Sequence, residues 1–230
     1  IANAKSILEQ AHDLAAEGVT LAVFPELCLT GYSAEDLFFS EALMADTQNA
    51  LHHLCACDMP LLIVGAPWRL CDGRLINCAV AIGNHRVLGM IPKTFLPNYS
   101  EYYEQRWFAS GASVNETEVH DALGTFHIRV DQLFRLGDAL VGAEICEDLW
   151  APVNPGTHAA LAGSNIVCNL SASNELVSKA DYREDYMLDM VEARGWAIWP
   201  PIRYAADTIH WGIQPPYPNP PSAEHLLGTN

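Results

Sequence analysis

Residues 61–91 read LLIVGAPWRLCDGRLINCAVAIGNHRVLGMI. Three apolar runs, 61–66, 75–82 and 86–91, are rich in strand formers, and Asp72-Gly73 and Gly83-Asn84 separate them. Asp-Gly and Gly-Asn pairs accept the positive φ of a tight turn, so the three runs predict an antiparallel meander. Working upstream, apolar residues at 4, 7, 8, 11, 14 and 15 form the stripe of an amphipathic helix, and Gly18 stands where a terminating glycine belongs. A strand-like run, VTLAVF at 19–24, then stops at Pro25-Glu26, and Ser33 with Asp36 predicts a helix start that runs to about Leu54. Downstream, LVGAEIC (140–146) and IVCNL (166–170) read as strands bracketing a short helix near 156–162. Helices on strands, mixed with hairpins, predict an α/β layered sandwich rather than a simple Rossmann sheet.

Composition narrows the function. Half of the 230 residues are apolar and 17% are charged, enough to bury a core. Twelve Lys and Arg face 28 Asp and Glu, a formal charge of −16, which argues against a nucleic-acid or anionic-membrane surface. No apolar run approaches the roughly 18–20 residues of a membrane span. Seven cysteines, an odd number, fit a cytoplasmic protein with buried thiols better than a secreted disulfide scaffold. The chain begins Ile1-Ala2-Asn3 without an initiator Met or signal segment, so it reads as a fragment.

Three segments place unusual residues where strands end. Glu26 directly follows the apolar run at 19–24; taken alone it has two readings, a carboxylate capping nearby backbone or a functional acid made costly by desolvation. Lys93, between Pro92 and Pro97, is either a snorkelling surface lysine or a fixed cation able to stabilise an oxyanion. Cys146 closes a strand and is followed by Glu147 and Asp148. Flanking acids raise a thiol's pKa, so a reactive Cys146 needs a cation nearby, and Lys93 can supply it; the alternative is a buried structural cysteine. A further cluster, His52, His53, Cys55, Cys57 and Cys71, lacks the usual C-x₂₋₄-C pair, so no metal site is expected. No G-x-G-x-x-G or P-loop occurs.

Glu26, Lys93 and Cys146 in these contexts resemble the Glu-Lys-Cys triad of the nitrilase superfamily of carbon–nitrogen hydrolases. The segments FPELCLTGYSAEDLF (24–38), IPKTFLPNYSEYYEQRWF (91–108), EICEDLW (144–150) and NLSASNELVSKADYRE (169–184) are similar to one branch, the glutaminase domain of glutamine-dependent NAD⁺ synthetases. The resemblance implies an α-β-β-α four-layer sandwich, incomplete at both ends. It further implies Glu26 as general base, Lys93 and a backbone N–H near Glu147 as oxyanion donors, and Cys146 as the nucleophile that forms a thioester with glutamine and expels ammonia. Glu104 would orient Lys93 or the substrate, Tyr32 would line the pocket, and Glu147 and Ser173 would hold the α-amino end of glutamine. No cofactor is implied for this chain; ATP and nicotinic acid adenine dinucleotide would belong to an absent synthetase domain receiving the ammonia. A homo-oligomer is implied for the intact family member.

The resemblance covers residues 1–194. Residues 195–230 hold seven of the 14 prolines and three of the six tryptophans, and IQPPYPNPP (213–221) cannot be a helix or a central strand. This stretch is expected to be an atypical tail, frameshifted or wrongly joined. Two alternatives to a glutaminase stand beside it: another nitrilase-type amidase acting on a different small amide, and a catalytically inactive truncated remnant.

Overall fold

The computed structural model of the chain describes residues 2–115, 117–174, 179 and 182 and the backbone of 197–199. Helix α1 (Ala2–Ala16) buries Ala4, Ile7 and Ala11, the inner part of its apolar stripe. It ends as expected at Gly18, whose φ of 84° lies in the left-handed region where a Cβ is costly. Strand β1 (Leu21–Val23) follows, then α2 (Glu41–Leu54), β2 (Leu61–Arg69), β3 (Leu75–Gly83) and β4 (Arg86–Pro92). The expected meander is present: β2 pairs antiparallel with β3, and β3 with β4. Asn84 and His85, with φ of 50° and 59°, make the second tight turn.

Beyond the meander come α3 (Glu104–Trp107), β5 (Thr117–Asp121), β6 (Gly124–Ile128), β7 (Phe134–Leu136), β8 (Ala139–Ile145), α4 (Pro155–Leu161), β9 (Ile166–Leu170) and β10 (Ala197–Trp199). Among the described residues, one sheet runs β1-β2-β3-β4-β6-β5 and the other β10-β9-β8-β7. Three residues of the stretch read as a tail thus form a strand, parallel to β9. The rest of 195–230, including 213–221, lies outside the described residues.

Side-chain alternation along β2 explains the layering. Leu62, Val64, Ala66 and Trp68 face α1 and α2, whereas Leu61 and Ile63 face the second sheet. From that second sheet Val141, Ala143, Ile145, Cys168 and Leu170 close the central core, while Gly142 of β8 faces Ala159 of α4. Helices, sheet, sheet and helix make the α-β-β-α sandwich.

The helix expected from Ser33 to Leu54 is instead two pieces. Residues 32–39 form an irregular 3-10 helix, with Glu35 at φ 50°, ψ −131°, and Ser40 is extended before α2 begins. Phe38 is fully buried against Trp107 and Phe108, and this anchoring pulls the chain out of a continuous helix. Among the described residues, no helix is long and apolar enough to cross a membrane.

Candidate active site

Each of the three strand-end residues lies just beyond a strand: Glu26 after β1, Lys93 after β4, Cys146 after β8. Phe24 donates its backbone N–H to the Ile63 carbonyl (2.8 Å), after which the chain turns sharply, with Leu27 at φ 51°. This turn sits directly on Gly65 of β2. A Cβ there would lie 2.2 Å from the Leu27 nitrogen and 2.5 Å from the Pro25 oxygen, so only glycine admits the approach.

Lys93 is fully buried and donates from Nζ to Glu26 Oε1 (2.7 Å) and to Glu104 Oε1 (2.6 Å). The snorkelling alternative is therefore excluded. Burial works against its ammonium, but Glu26, Cys146 and Glu104 outweigh that and hold its pKa above the ordinary lysine range. Glu26 is itself buried; Oε1 also accepts from Asn77 Nδ2 (2.7 Å) and Oε2 from the Ala172 N–H (3.1 Å). Glu104, at the start of α3, accepts from the Tyr32 hydroxyl at Oε1 (2.8 Å). Its Oε2 is buried with no partner among the described residues. Burial pushes its carboxyl up to about 7, with Lys93 opposing and the Glu26 charge adding to the rise. Tyr32, expected to line a pocket, lies in this charged centre, and burial and Glu104 push its hydroxyl far above the ordinary tyrosine range.

Cys146 adopts φ 47° as the chain leaves β8, and a short 3-10 helix, Cys146–Trp150, starts there. Burial and the Glu26 charge push its thiol up to about 12, with Lys93 pulling the other way. The resting sulfur is thus a protonated thiol lying in the field of one base and one fixed cation. Ser171 donates to Cys146 Sγ (3.4 Å), and Ser173, through its backbone N–H, donates to Ser171 Oγ (3.1 Å). Lys179 donates to Ser173 Oγ. Glu147 accepts from the Tyr99 hydroxyl (2.9 Å) and lines a cavity of about 630 Å³ with Thr94, Phe95, Leu96, Tyr99 and Phe108.

Glu26, Lys93, Glu104, Tyr32 and Cys146 therefore converge, and Ser173 stands one residue-to-residue contact behind the sulfur. Three further participants were given no role in the sequence analysis: Asn77, Ser171 and Asp148. Asn77 carried a signal, a polar side chain within the fully buried strand LINCAVAIG. Of the cluster dismissed as a metal site, Cys55 and Cys57 are buried and Cys71 is exposed. Among the described residues, no three His, Cys, Asp or Glu stand together as metal ligands.

A family model for carbon–nitrogen hydrolases matches residues 1–197. The glutamine-dependent NAD(+) synthetase of Mycobacterium bovis is 40% identical over 192 residues, 79% of this chain and 27% of that protein. The solved glutamine-dependent NAD+ synthetase of Acinetobacter baumannii, in complex with adenosine diphosphate, superposes with a TM-score of 0.74 at 25% identity, over 86% of this chain and 34% of its own. An amidase from Nesterenkonia sp. AN1 shares the fold, with a TM-score of 0.66 at 16% identity, over 86% of this chain and 71% of its own. The chain spans 27% of the Mycobacterium protein's length, so that protein's activity as a whole is a separate matter.

Proposed function

This chain belongs to the carbon–nitrogen hydrolase family of amidohydrolases, and on that premise we propose that it releases ammonia from the side-chain amide of glutamine. One observation carries the reading: a buried lysine bonded to two buried carboxylates, its charge acting on the strand-end thiol of Cys146.

Glu26 takes the Cys146 proton, and the thiolate attacks the amide carbon. Two of the three Nζ–H bonds of Lys93 are held by Glu26 and Glu104, which leaves the third for the developing oxyanion, together with the Glu147 N–H. As the C–N bond breaks, Glu26 returns the proton to the departing nitrogen and ammonia leaves. Water then loses a proton to Glu26 and attacks the thioester; the C–S bond breaks, the thiol regains its proton and glutamate is released. Glutamine plus water thus gives glutamate plus ammonia. Glu104 aligns Lys93 through Oε1.

Substrate choice rests on the cavity at the residue that follows the nucleophile in the chain. Glu147 lines it and supplies a carboxylate for the α-ammonium of glutamine. Ser173, bonded to Ser171 beside the sulfur, would complete that grip. The likeness to synthetases of greater length supports a synthetase domain as the ammonia's recipient. Binding of ATP and the dinucleotide there, no cofactor here and a cytoplasmic homo-oligomer are parts of the same proposal.

The deciding experiment incubates the purified chain with glutamine and measures ammonia, with Cys146→Ala as control. Release that Cys146→Ala abolishes is the expected result. Turnover of other small amides but not glutamine would replace the substrate assignment, and a folded chain that turns over neither would overturn the reading.

A further inference from the structure

Asp148 was legible in the sequence only as one of two acids beside the thiol. In the structure it is buried, 1% exposed, and its carboxyl oxygens accept from three backbone N–H groups. Oδ1 accepts the N–H groups of Thr94 (3.0 Å) and Phe95 (2.7 Å), and Oδ2 accepts the N–H of Ile145 (3.0 Å). Thr94 and Phe95 are the two residues after Lys93, and Ile145 is the residue before Cys146. One carboxylate therefore ties the lysine's loop, which leaves the first sheet, to the nucleophile's turn, which leaves the second.

We propose that Asp148 is a positioning residue whose carboxylate sets the placement of Cys146 against Lys93, an inference that rests on the reading that these two act together. The contacts demand a side chain with two acceptor oxygens, and the N–H groups of Phe95 and Ile145 favour its ionised form against a burial that pushes it up to about 7. Three donors converge on one small side chain, and only a group that accepts at both oxygens satisfies them together. Asparagine keeps the size but puts an NH₂ where an acceptor stood, so at least one backbone N–H would face another donor. The arms of the clamp are too short to relax: the bonded residues adjoin Lys93 and Cys146 directly, so a shift in either is transmitted to the reacting atoms.

The test is Asp148→Asn in the full chain, read three ways. Ammonia release from glutamine should fall about 100-fold in kcat, the cost of a misplacement near 1 Å, with a smaller rise in KM because Thr94 and Phe95 also line the cavity. Alkylation of Cys146 by iodoacetamide, followed by mass spectrometry at pH 7.5, should slow about tenfold, since losing the lysine's influence by one pKa unit removes nine-tenths of the thiolate. Circular dichroism reports whether the variant folds. A folded variant with wild-type kcat and wild-type alkylation overturns the proposal. Alkylation needs no substrate, so a wild-type chain inert toward glutamine sinks the glutaminase reading and leaves the clamp to be judged by this rate. Should the variant fail to fold, amide hydrogen exchange of the unmodified chain decides: slow exchange at Thr94, Phe95 and Ile145 supports the clamp, and rapid exchange at Thr94 and Phe95 overturns it.

Discussion

Replacing Gly65 by alanine tests whether the base is held in place by backbone contact rather than by its hydrogen bonds alone. The added Cβ would meet Leu27 N at 2.2 Å, Pro25 O at 2.5 Å and Glu26 C at 2.7 Å, against 3.4 Å and more for ordinary contacts. All three are backbone atoms, so no side-chain rotation relieves them; the turn must lift off β2 by about 1 Å. Overpacking of this kind costs about 1–3 kcal/mol. At roughly 2–4 °C per kcal/mol for a chain of this length, Tm should fall by about 2–12 °C. Lifting the turn also stretches the 2.7 Å bonds from Glu26 Oε1 to Asn77 and Lys93, so kcat for glutamine should drop about 100-fold. The comparison variant is Gly18→Ala, where φ is 84° but no atom lies within 4 Å of the added Cβ. It should cost about 1–2 kcal/mol of left-handed strain and leave kcat unchanged. Thermal melts and an ammonia assay on both variants give the answer. Gly65→Ala with wild-type kcat and wild-type Tm would refute the packing argument outright.

Two further outcomes follow from the buried charges. Lys93→Met leaves Glu26 and Glu104 buried without their cation, which should destabilise the fold by about 3–5 kcal/mol and abolish ammonia release; a variant that melts like wild type would show that the pair is solvated. Glu104 has a folded pKa raised from 4.5 to about 7, by burial first, with Glu26 adding and Lys93 and Tyr32 opposing. The folded chain therefore holds a proton there that the unfolded chain has released. Its stabilising effect is complete below pH 4.5 and is lost as pH rises through about 7. Melting wild type and Glu104→Gln from pH 4.5 to 8 should show the wild-type advantage shrinking across that window, whereas parallel curves would contradict it. Activity should move the opposite way, because only the ionised carboxylate holds Lys93.

How much was legible from the residues depended on how each segment buries itself. β2, β3 and β4 were plain because nearly every side chain in them is buried, leaving apolar runs interrupted only by turn residues. The β5–β6 hairpin carried no such run: Glu118, His120, Asp121, Thr125 and His127 are exposed, so the strands lie at a polar sheet edge. The break at Ser40 was hidden because the packing of Phe38 on Trp107 and Phe108 is a contact across about 70 residues, invisible to local periodicity. At the site, Glu26, Lys93 and Cys146 stood out as charged or nucleophilic groups at strand ends. Asp148 did not, because its partners are backbone N–H groups, and those carry no signature in a sequence.

The division of the site between two sheets has a consequence for how the chain comes into being. Glu26, Lys93, Glu104 and Tyr32 belong to the first half, β1 to β6, and the thiol to the second, beginning at β7. Ribosomal synthesis delivers the base and the cation well before the sulfur, and the thiol meets them only after the later strands have docked on the earlier ones. Competence to cleave an amide is thus the last property acquired. A half-made chain holds an acid and a lysine with nothing to activate.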